Sequence, residues 1–157
     1  AAVEVADKFL MGGTIVSTRG RSPREDFDYK AHRQGTWRVP LVVLVDRDSA
    51  SASEIFAAAI HDHDRGTIIG QQSYGKGSVQ GIFPLGMSKV GVRLTTARFY
   101  APNGQPISRR GVSPDIVVQV AEKPDSLILD GRRPVADAQD PVVAAGIQAA
   151  QKLVAQR

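Results

Sequence analysis

Asp48-Ser-Ala-Ser-Ala-Ser-Glu-Ile55 is the stretch that decides how this chain is read, because of what stands on either side of it. Before it, Pro40-Leu-Val-Val-Leu-Val-Asp46 is an apolar run of strand length, and after it Ile55-Phe-Ala-Ala-Ala-Ile60 is rich in helix formers. A serine-rich turn therefore joins a buried strand to a helix. Thr67-Ile-Ile-Gly70 reads as a second strand, so strand, helix and strand predict a βαβ unit in an α/β fold. Leu41 to Val45 is apolar on both faces, as a strand in a parallel or mixed sheet covered by helices must be.

The turn carries two readings. A hydroxyl at the first turn of a helix sits beside unpaired N–H groups and the positive end of the helix dipole, where negative charge on a reacting oxygen is stabilised. The same residues also serve as caps: Asp48, Ser49, Ser51 or Ser53 closes the helix, with Glu54 completing a capping box against Ser51. The turn alone leaves both open.

Lys76 adds weight to the chemical reading. It stands between Gly75 and Gly77, just after the second strand, where glycines let the backbone approach another group closely. A serine nucleophile needs a base, and a lysine serves if burial disfavours its ammonium form; Val79, Ile82, Phe83 and Leu85 follow as apolar neighbours for that burial. Histidine is the more usual base. His61 and His63, however, stand near the far end of the same helix, at least ~15 Å from Ser51 at ~1.5 Å per residue. His32 lies in a polar stretch with no tie to the turn, so a Ser-His-Asp triad has no good candidate and a Ser-Lys pair remains.

Four segments, in order, resemble the carboxyl-terminal processing peptidases, also called tail-specific proteases. They are Val45-Asp-Arg-Asp-Ser-Ala-Ser-Ala-Ser-Glu-Ile55, Gly75-Lys-Gly-Ser-Val-Gln80, Thr95-Thr-Ala-Arg-Phe-Tyr-Ala-Pro-Asn-Gly104 and Gly111-Val-Ser-Pro-Asp-Ile116. The resemblance covers most of Ala1 to about Val120. It implies that the middle serine, Ser51, is the nucleophile, that Lys76, 25 positions later, is the general base, and that Gln80 orients the lysine. The backbone N–H of Ala52 would supply one oxyanion donor.

The resemblance also implies a ClpP/crotonase-like core and a serine endopeptidase cutting near the carboxyl terminus of protein substrates with apolar tails. No cofactor and no metal belong to that chemistry, and the expected location is the bacterial cell envelope or periplasm. The family's upstream Asn-Pro-Gly-Gly-type turn, source of the second oxyanion donor, and its PDZ domain are not in this sequence. The alternative expectation is therefore a catalytically incomplete fragment acting as an assembly or interaction module.

Composition sets the outer bounds. At 157 residues with 42% apolar content, the default is a single domain over 1–157. There are no cysteines, hence no disulfide and no thiolate metal site, and no stretch approaches the ~20 apolar residues of a membrane span. The net charge of +4 is spread over short arginine clusters at Arg19, Arg21 and Arg24, at Arg109 and Arg110, and at Arg132 and Arg133. These clusters are not interleaved with aromatics, so they read as a solvated basic surface rather than a nucleic-acid site, with contact to an anionic membrane surface left open.

Two further motifs fail on context. Gly70-Gln-Gln-Ser-Tyr-Gly-Lys76 imitates a phosphate loop, but Gly77 stands where Ser or Thr should bind metal and no helix former follows. His61-Asp-His-Asp64 invites a metal reading, but alternate residues on a helix point apart, so a solvated helix end is expected.

The remaining elements follow from periodicity. Ala2, Val5, Ala6, Phe9 and Leu10 predict a helix stopped by Gly12-Gly13, and a strand is expected over Thr14 to Thr18. Arg19 to Arg38 reads as a long polar loop or flap, with Trp37 as packing. Strands are expected at Val92 to Tyr100 and Ile116 to Val120, with loop from Glu122 to Gln139 around an extended Ser126 to Leu129. A terminal helix over 140–157 is signalled by Asp140 as N-cap and Pro141 at its first position. Its stripe of Val143, Ile147, Ala150 and Val154 reads as core packing, with a homo-oligomer contact as the alternative.

Overall fold

Connection length sorts the strands of this protein into two sheets. The computed structural model describes residues 1–32, 36–86, 90–120 and 140–156. Strand β3 (Val42–Val45) leads through helix α2 (Ala52–Asp62) to β4 (Thr67–Gly70), and the crossover makes the two parallel, with Val42 opposite Thr67 and Val45 opposite Gly70. A two-residue strand, β7 (Ile116–Val117), adds in parallel to β4, giving the order β3-β4-β7. The βαβ unit is thus as the sequence predicts, while β7 is shorter than expected.

The other strands pair antiparallel in the order β2-β1-β6-β5, formed by Phe27–Lys30, Thr14–Gly20, Gly91–Tyr100 and Ser78–Pro84. The α/β fold is as expected, with its strands divided between a parallel and an antiparallel sheet. Only six residues separate β1 from β2 and β5 from β6, and a connection that short returns the chain antiparallel.

The expected flap is corrected in part. Beyond Arg19 the chain makes a Ser22-capped turn over Pro23–Glu25 and comes back as β2, with Phe27 opposite Thr18 and Lys30 opposite Thr14. All four β2 residues are exposed, so no apolar alternation marks the strand and backbone pairing alone defines it. Trp37 does pack, edge-on to Phe9 at 5.5 Å between ring centres. Arg65 holds that corner by donating to the carbonyls of Phe9, Trp37 and Val39.

Helix α2 is the centre of the core. Ala57, Ala59 and Ile60 are wholly enclosed, packed with Ala6 and Leu10, with Ile15 and Val16 of β1, and with Val45 and Ile68 of the parallel sheet. The preceding helix α1 (Ala2–Asp7) is shorter than the sequence predicts: it ends at Lys8, whose N–H donates to Val5 O at 3.1 Å, well before Gly12-Gly13.

The terminal helix α3 (Pro141–Ala155) begins as predicted, the Asp140 carboxylate accepting from Val142 N at 2.8 Å and Val143 N at 3.4 Å. Its packing differs from expectation. Gly146 is the buried residue, closed over by Leu44 of β3, while Ile147 and Val154 are 50% and 63% exposed. The helix meets the sheet through its smallest residue, so the larger stripe faces outward. The loop predicted over 122–139 lies outside the described residues.

Candidate active site

The strand-to-helix turn is built by Asp46. Its Oδ1 accepts from Asp48 N at 3.1 Å, Ser49 N at 2.8 Å and Ser49 Oγ at 2.7 Å, which closes the end of β3. Ser49 O then accepts from Tyr74 N at 3.0 Å, which ties the turn to the lysine loop. Two residues on, Ser51 takes φ 57° and ψ −110°, a conformation that costs a non-glycine residue about 1–3 kcal/mol. A serine on a sharp, strained turn between strand and helix is how a hydroxyl is held exposed above a helix N-terminus for attack. Ala52 opens α2, and among the described residues its N–H has no acceptor.

Glu54 is the residue whose role the sequence understates. It completes the capping box by accepting from Ser51 N, but the side chain is 0% exposed and accepts three further hydrogen bonds. Oε2 takes Ser51 N at 2.8 Å and Lys76 N at 2.8 Å, while Oε1 takes Ser73 Oγ at 2.6 Å and Gly75 N at 2.5 Å. Ser73, itself buried, accepts from Val112 N at 2.7 Å. The signal was present in the helical spacing, since Glu54 shares a face with Ala57 and Ala58 in the buried stripe, and a buried carboxylate must find donors.

The glycines around Lys76 act as expected. A Cβ on Gly77 would stand 2.4 Å from Ser108 N, and one on Gly75, where φ is +88°, would stand 3.1 Å from the Arg109 backbone. Arg109 N donates to Gly75 O and Phe99 N to Gly77 O, both at 2.8 Å, so the loop is clamped against β6 and the segment that follows it.

The expected burial of the lysine is corrected. Lys76 is exposed in this chain, as are Tyr74 and Gln80. Of its expected apolar neighbours, Ile82 is 74% exposed, and Phe83 and Leu85 are about half exposed. The reason is topological: β5 is the edge of its sheet, with no further strand paired to it among the described residues. The pairing register with β6 shifts between Val79 and Gln80, a few residues beyond the lysine.

The histidines stand away from this turn. His63 Nε2 lies 2.8 Å from Thr14 O, packed over Gly13, and His32 pairs with Asp7. His61 Nδ1 lies 2.9 Å from Asp62 and its Nε2 3.5 Å from Asp115. Asp62 in turn accepts from Asn103 N and Nδ2, both at 3.0 Å. The end of α2 is therefore a set of tertiary ties and not the solvated end expected.

Comparison with known proteins agrees with this arrangement. The profile of Peptidase family S41 matches residues 1–118. The chain is 51% identical over 119 residues to a carboxy-terminal-processing protease of Bartonella bacilliformis, covering 75% of this chain and 27% of the relative. It is 40% identical over 126 residues to a tail-specific protease of Haemophilus influenzae, covering 73% of this chain and 18% of the relative. Its structure superposes on a photosystem II D1 C-terminal processing protease with TM-score 0.67 at 37% identity, covering 74% of this chain and 30% of that one. It shares its fold with a putative peptidase from Parabacteroides merdae, TM-score 0.66 at 20% identity, over 95% of this chain and 46% of the other. The chain thus spans about a quarter of the length of the first of these relatives, and its α/β fold is the ClpP/crotonase-like core. With the family pattern running unbroken from α1 through β7, this chain belongs to peptidase family S41.

Proposed function

We propose that Ser51 and Lys76 form the dyad of a serine endopeptidase that cuts near the carboxyl terminus of protein substrates. One observation carries the reading: Ser51, strained at the head of α2, and Lys76, in a loop beyond β4, both hang by their backbone N–H groups from one buried oxygen. The names of the relatives support the same activity.

In this mechanism Ser51 Oγ attacks the scissile carbonyl carbon while Lys76 Nζ takes the hydroxyl proton. The oxyanion that forms faces Ala52 N–H at the positive end of α2. As the C–N bond breaks, Lys76 returns the proton to the leaving amine, and Ser51 is left as an ester. Water then attacks the ester, Lys76 again taking and returning a proton, which frees the serine and the new carboxyl terminus. Gln80 holds the lysine side chain in line. Phe83, Leu85, Val92 and Leu94, exposed on one face of the β5–β6 hairpin, suit a substrate with an apolar tail. The same reading places the protein in the bacterial cell envelope or periplasm.

The exposure of Lys76 and Gln80 favours a second reading for the 157-residue chain by itself, that of a catalytically incomplete unit acting in assembly or interaction. Incubating the chain, and its Ser51→Ala variant, with an unfolded apolar-tailed protein and identifying products by mass spectrometry tests both. Products that depend on Ser51 support the dyad. Products that persist in Ser51→Ala sink it, and a folded chain that yields none favours the second reading.

A further inference from the structure

Capping α2 needs one bond from Glu54, to the N–H of Ser51. The other three donors, Ser73 Oγ, Gly75 N and Lys76 N, come from a loop 19 to 22 residues further along the chain. A carboxylate has about four acceptor positions, and here all are used in a site with no exposure to water. A residue serving only as a cap would have no reason to be enclosed or to reach across.

We infer that Glu54 is the positioning residue that sets Ser51 against Lys76. Oε2 is the shared anchor: the two backbone nitrogens can be no further apart than twice 2.8 Å while both bonds hold. The strained φ of Ser51 needs an external restraint, and the bond from its N–H supplies one. Lys76 hangs from the same atom, so sliding either loop breaks a bond at the point where the other is held. Oε1 fixes the start of the lysine loop through Ser73 and Gly75. Ser73 extends the anchor to the segment after β6 by accepting from Val112 N, and Gly111 packs so close that a Cβ would stand 2.5 Å from Ser73 O.

As a statement about catalysis this rests on reading Ser51 and Lys76 as the dyad; as a statement about loop placement it does not. The test therefore has two readouts, both on the full-length protein. Glu54→Gln keeps the shape but turns one acceptor oxygen into an NH2 group facing N–H donors. Amide hydrogen exchange should rise together in peptides covering Ser51 to Ser53 and Tyr74 to Gly77, with β3, β4 and the rest of α2 unchanged. On a peptide substrate kcat should fall about 10²-fold with KM within a fewfold, since misplacement by about an ångström acts on the chemical step. Glu54→Asp, which keeps the charge but not the reach, should not restore kcat.

A folded Glu54→Gln with kcat within about threefold of the parent overturns the inference, as does exchange that rises in only one loop or evenly throughout. Should Glu54→Gln fail to fold, Ser73→Ala decides, because it leaves the carboxylate and three of its donors in place. A fall in kcat at constant KM there supports the anchor, and an unchanged kcat assigns Glu54 to stability alone. Activity that survives Ser51→Ala removes the dyad reading, and the exchange data then still show whether Glu54 ties the two loops.

Discussion

Ser51 and Lys76 donate their backbone N–H groups to the same atom, Oε2 of Glu54, each at 2.8 Å. The side chains of both residues are left out of this anchor. The fold therefore holds the backbones of the proposed dyad independently of the side-chain chemistry, and the two are separable by mutation.

That separation predicts the behaviour of Lys76. Lys76→Ala and Lys76→Arg should both remove Ser51-dependent cleavage by orders of magnitude while leaving the thermal midpoint nearly unchanged, because the fold uses only the backbone N–H. Arginine keeps the positive charge but does not deprotonate in proteins, so it fails as a base. Cleavage by Lys76→Arg at the parent's rate would refute the lysine's role.

Gly77 should be intolerant of any side chain. Its Cβ would meet Ser108 N at 2.4 Å and Ile107 C at 2.9 Å, both backbone atoms that cannot swing away. Gly77→Ala is expected to cost about 1–3 kcal/mol through overpacking and to shift Lys76 off its anchor. Chemical denaturation measures the first effect and cleavage rate the second; a variant as stable as the parent would show that the clamp yields.

Acid should loosen the corner between α1 and β2. The backbone N–H of His32, then its ring, hold the Asp7 carboxyl below its ordinary value of 3.8. A lowered folded pKa contributes stability that is present above the unfolded value and is lost as pH falls through the folded one. Asp7→Asn should therefore melt below the parent near about pH 7, with the gap closing below about pH 4. A gap that widens in acid would contradict the assignment.

The outer stripe of α3 should be silent in stability. Ile147 and Val154 are 50% and 63% exposed, so Ile147→Ser and Val154→Ser should each change unfolding free energy by no more than about 0.5 kcal/mol. Gly146→Leu, directed at Leu44, should destabilise by more. A large loss from Ile147→Ser in urea titration would restore the core reading made from its spacing.

Much of the fold was legible in the chain because its signals are local. The apolar run to Val45, the serine turn, the alanine-rich helix and Thr67 to Gly70 each declare themselves within a few residues, and together they required the parallel βαβ unit. Asp140 and Pro141 likewise placed the start of α3. Strand β2 was missed because all of its side chains are exposed, so its identity lies in backbone pairing to β1.

Sequence by itself determined the order of the motifs, and with it membership of the S41 family and the candidates Ser51, Lys76, Gln80 and Ala52. Tertiary structure alone decided that Glu54 reaches past its own cap to the lysine loop, that β5 is an edge strand, and that Lys76 stands exposed beside it. The physical reason is range. Propensity and spacing act over a turn or two of chain, whereas the burial of a carboxylate and the exposure of a lysine depend on which distant segments close over them.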